Sequence, residues 1–138
     1  MKQFAVIGNP IEHSLSPVLH NWVFKSLNIQ AEYTKIRVEE KYLSEIVAKV
    51  KNDELDGFNV TIPYKESIIP YLDTLDESAE TIAAVNCVAG EIGYNTDWIG
   101  FLKAMFGNGI EINGKNCLII GAGAVSYTHL TLPTILRV

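Results

Sequence analysis

The sequence predicts an α/β fold, a mostly parallel sheet covered by helices. Two observations carry that expectation. Short apolar runs of strand length alternate with amphipathic segments of helical period through the first half of the chain, as in βαβ units whose strands are buried on both faces. The runs also stop at Gly, Asn or Pro, so each strand ends in a turn.

Phe4-Ala5-Val6-Ile7 is the first such run, stopped by Gly8-Asn9-Pro10. Ser16-Pro17 offers a hydroxyl N-cap and a proline at the first helical position. Val18, Leu19, Trp22, Val23 and Leu27 then recur at helical spacing until Asn28. Ala31 to Val38 alternates as a second strand. A helix from Glu39 follows, apolar at Tyr42, Leu43, Ile46, Val47 and Val50, with acids at its start and Lys49 and Lys51 at its end, which suits the helix dipole. Gly57 to Ile62 is the third strand, ended by Pro63. Lys65 to Leu72 and Asp76 to Ala83 read as helical, with Pro70 separating or kinking them. Ala84 to Ala89 and Ile92 to Tyr94 read as strands joined at Gly90-Glu91, and Asp97 to Phe106 as a helix. Gly107 to Lys115 is a link, and Asn116 to Ile120 is again a buried-strand pattern.

With 138 residues and 48% hydrophobic content, the chain has room for one compact domain, or for one domain and the opening of a second. Its net charge of -5 argues against nucleic acid, because phosphate neutralisation needs clustered cations. The N-terminal apolar run is too short for a signal sequence or a membrane span, so a cytoplasmic protein without membrane association is expected. Cys87 and Cys117 lie in apolar stretches without metal-ligand spacing and read as two reduced core thiols. His13 and His20 lack a third ligand type nearby, so no metal site is expected.

Three polar segments fall at element junctions. Ser14 and Ser16 sit between a strand and a helix start, where hydroxyls and free N–H groups can face a small anion such as a carboxylate. Asn59, Thr61 and Lys65 fall at the end of the third strand and just beyond it, and ligands of parallel α/β sheets bind outside the carboxyl ends of strands. Asn95-Thr96-Asp97 precedes the last helix, with Thr96 or Asp97 as its cap. Each segment alone has an ordinary structural reading as a cap, a turn or a solvated lysine. Gly121-Ala122-Gly123-Ala124-Val125-Ser126, directly after a strand, looks like the start of a Rossmann dinucleotide turn.

Taken together, Gly8-Asn9-Pro10, His13-Ser14-x-Ser16-Pro17, His20-Asn21, Asn59-Val60-Thr61-x-Pro63-x-Lys65, Ala84-Val85-Asn86, Asn95-Thr96-Asp97 and Gly100-Phe101 resemble the shikimate dehydrogenase family in order and spacing. The resemblance runs from Met1 to Ser126. It implies that Ser14 and Ser16 hold the substrate carboxylate, that Thr61, Asn86 and Asp97 bind ring hydroxyls, and that Lys65 stands beside the hydroxyl being oxidised. Lys65 would move the proton, Asp97 would orient it, and NADP would take the hydride, since no side chain can. The resemblance places Glu77 near the cofactor, although a solvated acid at a helix start explains it equally well. It places the cofactor's pyrophosphate at Gly121, Ala122, Gly123, Ala124 and Val125. Ala83 stands for a usual Gly, Cys87 for a usual Thr, Ala124 for a usual Gly, and Trp98 for smaller residues.

The expected organisation is a shikimate-binding catalytic domain over residues 1–106, a link and truncated opening of an NADP-binding Rossmann domain over 107–126, and a foreign or frame-broken tail over 127–138. The tail is rich in β-branched residues where that fold needs a long helix. Strand Asn116 to Ile120 would then be an unpartnered edge, and the chain alone is expected to be inactive. The implied reaction is reversible NADP-linked reduction of 3-dehydroshikimate to shikimate on the route to aromatic amino acids. The alternatives are a quinate/shikimate dehydrogenase and a non-catalytic shikimate-binding regulator.

Overall fold

A computed structural model describes residues 1–112, 114–119 and 135–137. Six strands form one sheet in the order β2-β1-β3-β5-β6-β4. β1 (Lys2–Gly8) is an interior strand and pairs in parallel with β2 (Ala31–Arg37) and β3 (Gly57–Val60). Its last four residues are all buried, as expected of a strand covered on both faces. β2 is an edge strand and buries only Tyr33. Two-residue β4 (Thr74–Leu75) lies at the other edge, in parallel with β6 (Ile92–Tyr94). β5 (Cys87–Ala89) turns back antiparallel between β3 and β6. The sheet is therefore mostly parallel, as expected, although β4 was not.

The helix α1 (Ser16–Ser26) begins one residue earlier in its cap than the sequence suggests: Leu15 is the N-cap and Ser16 the first helical residue, with no side-chain cap bond. Its apolar period is real but faces outward. Leu15, Val18, Leu19 and Trp22 are 76%, 71%, 60% and 66% exposed. The cause is an anchor on the opposite face, where the Asn21 side chain accepts from the Tyr33 N–H at 2.9 Å and donates to the Tyr33 carbonyl at 2.8 Å. That clamp turns Phe24 onto Phe4 instead, ring centroids 5.8 Å apart. The chain leaves α1 through Asn28 at φ 54°, a left-handed conformation that Asn tolerates.

A 3₁₀ turn (Glu40–Tyr42) precedes α2 (Leu43–Lys51), so the helix starts later than Glu39. Leu43, Ile46, Val47 and Val50 are buried against the sheet, as their spacing predicts. Together with Ile7, Phe58, Ile68 and Val85 they form the main core.

The helix expected over Lys65 to Leu72 is absent. Turns and a 3₁₀ segment (Ile69–Tyr71) take its place, because Pro70 offers no N–H and Ile69 closes a short bond to the Glu66 carbonyl at 3.2 Å. The Asp76 to Ala83 segment shrinks to one turn, α3 (Glu77–Glu80), capped by Asp76 accepting from the Ser78 N–H at 2.9 Å. Ala83, at φ 51°, occupies a left-handed position that suits Gly. α4 (Asp97–Gly107) matches expectation to within a residue. β7 (Cys117–Ile119) is not an unpartnered edge, because β8 (Ile135–Arg137) pairs with it in parallel. Among the described residues, no helix is long and apolar enough to cross a membrane.

Candidate active site

Lys65 lies in the turn after β3 and Asp97 at the start of α4, 32 residues apart in sequence, and the fold brings them together. The Lys65 Nζ donates to Asp97 Oδ2 at 2.5 Å, with the two side chains 23% and 26% exposed. The other carboxylate oxygen, Oδ1, accepts from Asn86 Nδ2 at 2.7 Å. Asn86 also accepts from the Thr96 N–H at 3.0 Å. The carboxylate is thus fixed at both oxygens, one by a cation and one by an amide, while the amine stays open to solvent on one side. A charge-assisted bond of this kind is stronger than a neutral one.

Ser14, Ser16 and Thr61 line a separate part of the same strand-end surface, a cleft of about 320 Å³ shared with Val6, Pro10, Ile11, His13 and Ile62. Its two loops meet at Gly8, where an added Cβ would stand 2.6 Å from Thr61 Cγ2 and 3.0 Å from the Ile62 carbonyl. Ser14 Oγ accepts from the Ser16 N–H at 3.3 Å, and the Ser16 hydroxyl is not spent on capping α1. Two cations not singled out in the sequence steady this loop. Lys35 Nζ donates to the Glu12 carbonyl at 2.5 Å, and Arg37 Nε to Asn9 Oδ1 at 3.0 Å. Thr61 connects the cleft to the lysine, its carbonyl accepting from the Tyr64 N–H at 3.0 Å within the turn that carries Lys65.

Glu77 is exposed in the first turn of α3 and does not join the lysine cluster. Its helix is nonetheless tied to α4: Trp98 Nε1 donates to the Ser78 carbonyl at 2.9 Å, and Ser78 Oγ accepts from the Asn95 N–H at 3.0 Å. Gly121, Ala122, Gly123, Ala124 and Val125 lie outside the described residues. Neither Thr96 nor Asp97 caps α4 with its side chain. Asn95 does the holding: fully buried, it accepts from the Asp97 N–H at 3.0 Å and donates to the Ala84 carbonyl at 2.9 Å. Sequence reasoning gave Asn95, Asn59 and Tyr33 no role, although Asn59 and Asn95 open two of the motifs quoted above; Tyr33 had no such signal. Cys87 is a free, half-buried thiol whose pKa burial pushes up.

Residues 6–88 match the family model for the shikimate dehydrogenase substrate binding domain. The shikimate dehydrogenase (NADP(+)) of Bacillus cereus strain G9842 is 49% identical over 132 residues, covering 91% of this chain and 48% of that protein. Shikimate dehydrogenase 1 of Peptoclostridium difficile superposes with a TM-score of 0.89 at 33% identity, covering 99% of this chain and 56% of that one. The Thermus thermophilus enzyme, crystallised with NADP(H) and shikimate, gives 0.83 at 36% identity, over 93% of this chain and 50% of its own. The chain spans about half the length of the curated relatives it matches.

Proposed function

We propose, from the premise that this chain belongs to the shikimate dehydrogenase family, that residues 1–106 form the substrate-binding and proton-transferring side of an NADP-linked enzyme interconverting shikimate and 3-dehydroshikimate in the cytoplasm. The observation that carries the proposal is the Lys65–Asp97–Asn86 cluster, held 2.5 Å and 2.7 Å apart along its two bonds, beside a cleft with two serine hydroxyls. Binding alone needs no amine braced by a carboxylate. Acid–base work at a carbinol does.

In this reading Ser14 and Ser16 take the substrate carboxylate, and Thr61 and Asn86 take ring hydroxyls. The hydroxyl to be oxidised lies at Lys65 Nζ; the lysine in its neutral amine form accepts that proton as the carbon gives up hydride, and the resulting ammonium returns it in the reverse direction. Asp97 holds the amine and bonds the same oxygen. A bound nicotinamide supplies the hydride acceptor that no side chain provides. Glu77 and residues 121–125 would hold that cofactor, the latter at its pyrophosphate.

The test is a titration of the isotopically labelled chain with shikimate, followed by NMR. Shifts confined to Ser14, Ser16, Thr61, Lys65, Asn86 and Asp97 and their immediate neighbours support the assignment. Shifts elsewhere, or none at millimolar shikimate, refute it. Quinate in the same titration separates the two substrate classes.

A further inference from the structure

The motif His20-Asn21 has no part in the proton-transfer reading, yet it grips the one buried tyrosine of β2. The His20 ring stacks on the Tyr33 ring, centroids 4.2 Å apart and planes within 10°. Asn21 brackets the Tyr33 backbone from both sides. Tyr33 is 4% exposed, and its side chain reaches across β1 to the next strand. There its hydroxyl donates to Asn59 Oδ1 at 2.6 Å. Burial raises the Tyr33 pKa, so the phenol remains a donor.

That donor fixes the Asn59 amide. With its oxygen turned to Tyr33, its NH₂ faces the Asn86 carbonyl and donates to it at 3.1 Å. The same carbonyl accepts from the Val60 N–H at 2.9 Å. A flipped amide would set oxygen against oxygen. Asn86 is therefore gripped at its backbone by β3 and at its side chain by Thr96 and Asp97.

We propose that Tyr33, clamped by His20 and Asn21, is a positioning residue that acts through Asn59 to hold Asn86 and, through Asn86, the Asp97–Lys65 pair. The proposal rests on the reading of that pair given above, and it assigns α1 a mechanical part in the site. Tyr33 touches neither substrate nor the reacting atoms. Its ring fills the small core with Val6 and Ile11, whereas its hydroxyl serves the relay.

Tyr33→Phe separates the two parts, since it keeps the ring and removes the hydroxyl. In the labelled 138-residue chain, exchange of the Thr96 N–H should speed up about threefold to tenfold, the range expected for one weakened hydrogen bond. The Asn52 and Asp56 amides, bonded to Ala48 and Gln3, should not change. Asn59→Ala should reproduce the effect, and Tyr33→Phe should add nothing on that background. Unchanged Thr96 exchange in either folded variant overturns the proposal. So does equal acceleration of all three amides, which would mark a purely structural residue. If Tyr33→Phe does not fold, Asn59→Ala alone decides. Exchange is read without ligand, so a failure of shikimate binding would refute the functional reading and leave this result standing.

Discussion

Asn95→Ala tests how the start of α4 is held. The side chain is fully buried and serves two backbone groups, the Ala84 carbonyl at 2.9 Å and the Asp97 N–H at 3.0 Å. Alanine leaves both without that partner. A buried polar group left unsatisfied costs roughly 1–3 kcal/mol, and two of them give about 2–6 kcal/mol. That is a large part of the ~5–15 kcal/mol stability of an ordinary domain. Urea unfolding followed by tryptophan fluorescence reads it directly, because Trp98 is bonded to the neighbouring α3 at Ser78. The midpoint should fall with the slope unchanged. A loss below about 0.5 kcal/mol would show that water or a backbone shift satisfies both groups, and the account of Asn95 as the anchor of Asp97 would be wrong.

Four other outcomes are expected. Residues 1–106 grafted into the Bacillus cereus relative should give shikimate oxidation that Lys65→Ala lowers by roughly 10²-fold or more, with shikimate affinity much less changed; near-normal turnover removes Lys65 from proton transfer. Ser14→Ala and Ser16→Ala should each weaken shikimate binding by about 1–3 kcal/mol, and an equal loss for the methyl ester would overturn the carboxylate assignment. Hydrogen bonds from the Ser78 side chain and backbone hold the Asp76 carboxyl below its ordinary value of 3.8; its contribution is full above that value and lost as pH falls through the lowered one. Ser78 amide exchange should accelerate only in that acid range, and Asp76→Asn should flatten the dependence. Ala83→Gly should raise stability by up to about 1 kcal/mol, because relief of the left-handed strain outweighs the added freedom of the unfolded chain; a lower melting temperature would contradict this.

The core strands and α2 were legible because their burial pattern and their period coincide. β1 reads as a continuous apolar run and buries four consecutive residues, and α2 buries four of the five positions its spacing names, Tyr42 falling in the preceding turn and staying exposed. α1 shows where periodicity is insufficient. Its apolar stripe is genuine, but which face meets the sheet is decided by Asn21 bonding to Tyr33, a contact twelve residues distant that no local pattern encodes. The segment after Lys65 failed for a local reason, since Pro70 removes a donor and the chain closes shorter turns. At the site, Lys65, Asp97 and Asn86 were named through family resemblance, and their convergence requires the tertiary fold. Asn95, Asn59 and Tyr33 stayed hidden because their work is done on backbone groups and amides, which carry no distinctive spacing.

The close approach at Gly8 sets a rule for re-engineering the cleft. Behind the cleft Gly8 leaves no room for a side chain, since a single added methyl would collide with Thr61 Cγ2 at 2.6 Å and crowd Ile11 Cδ1 at 3.1 Å. Larger or smaller ligands therefore cannot be accommodated by varying this position. Room must be gained elsewhere in the lining, at Ile11 or Ile62. A library that randomises those two residues should yield folded variants with altered ligand preference, whereas one that randomises Gly8 should mostly lose the alignment of the serine loop with Thr61.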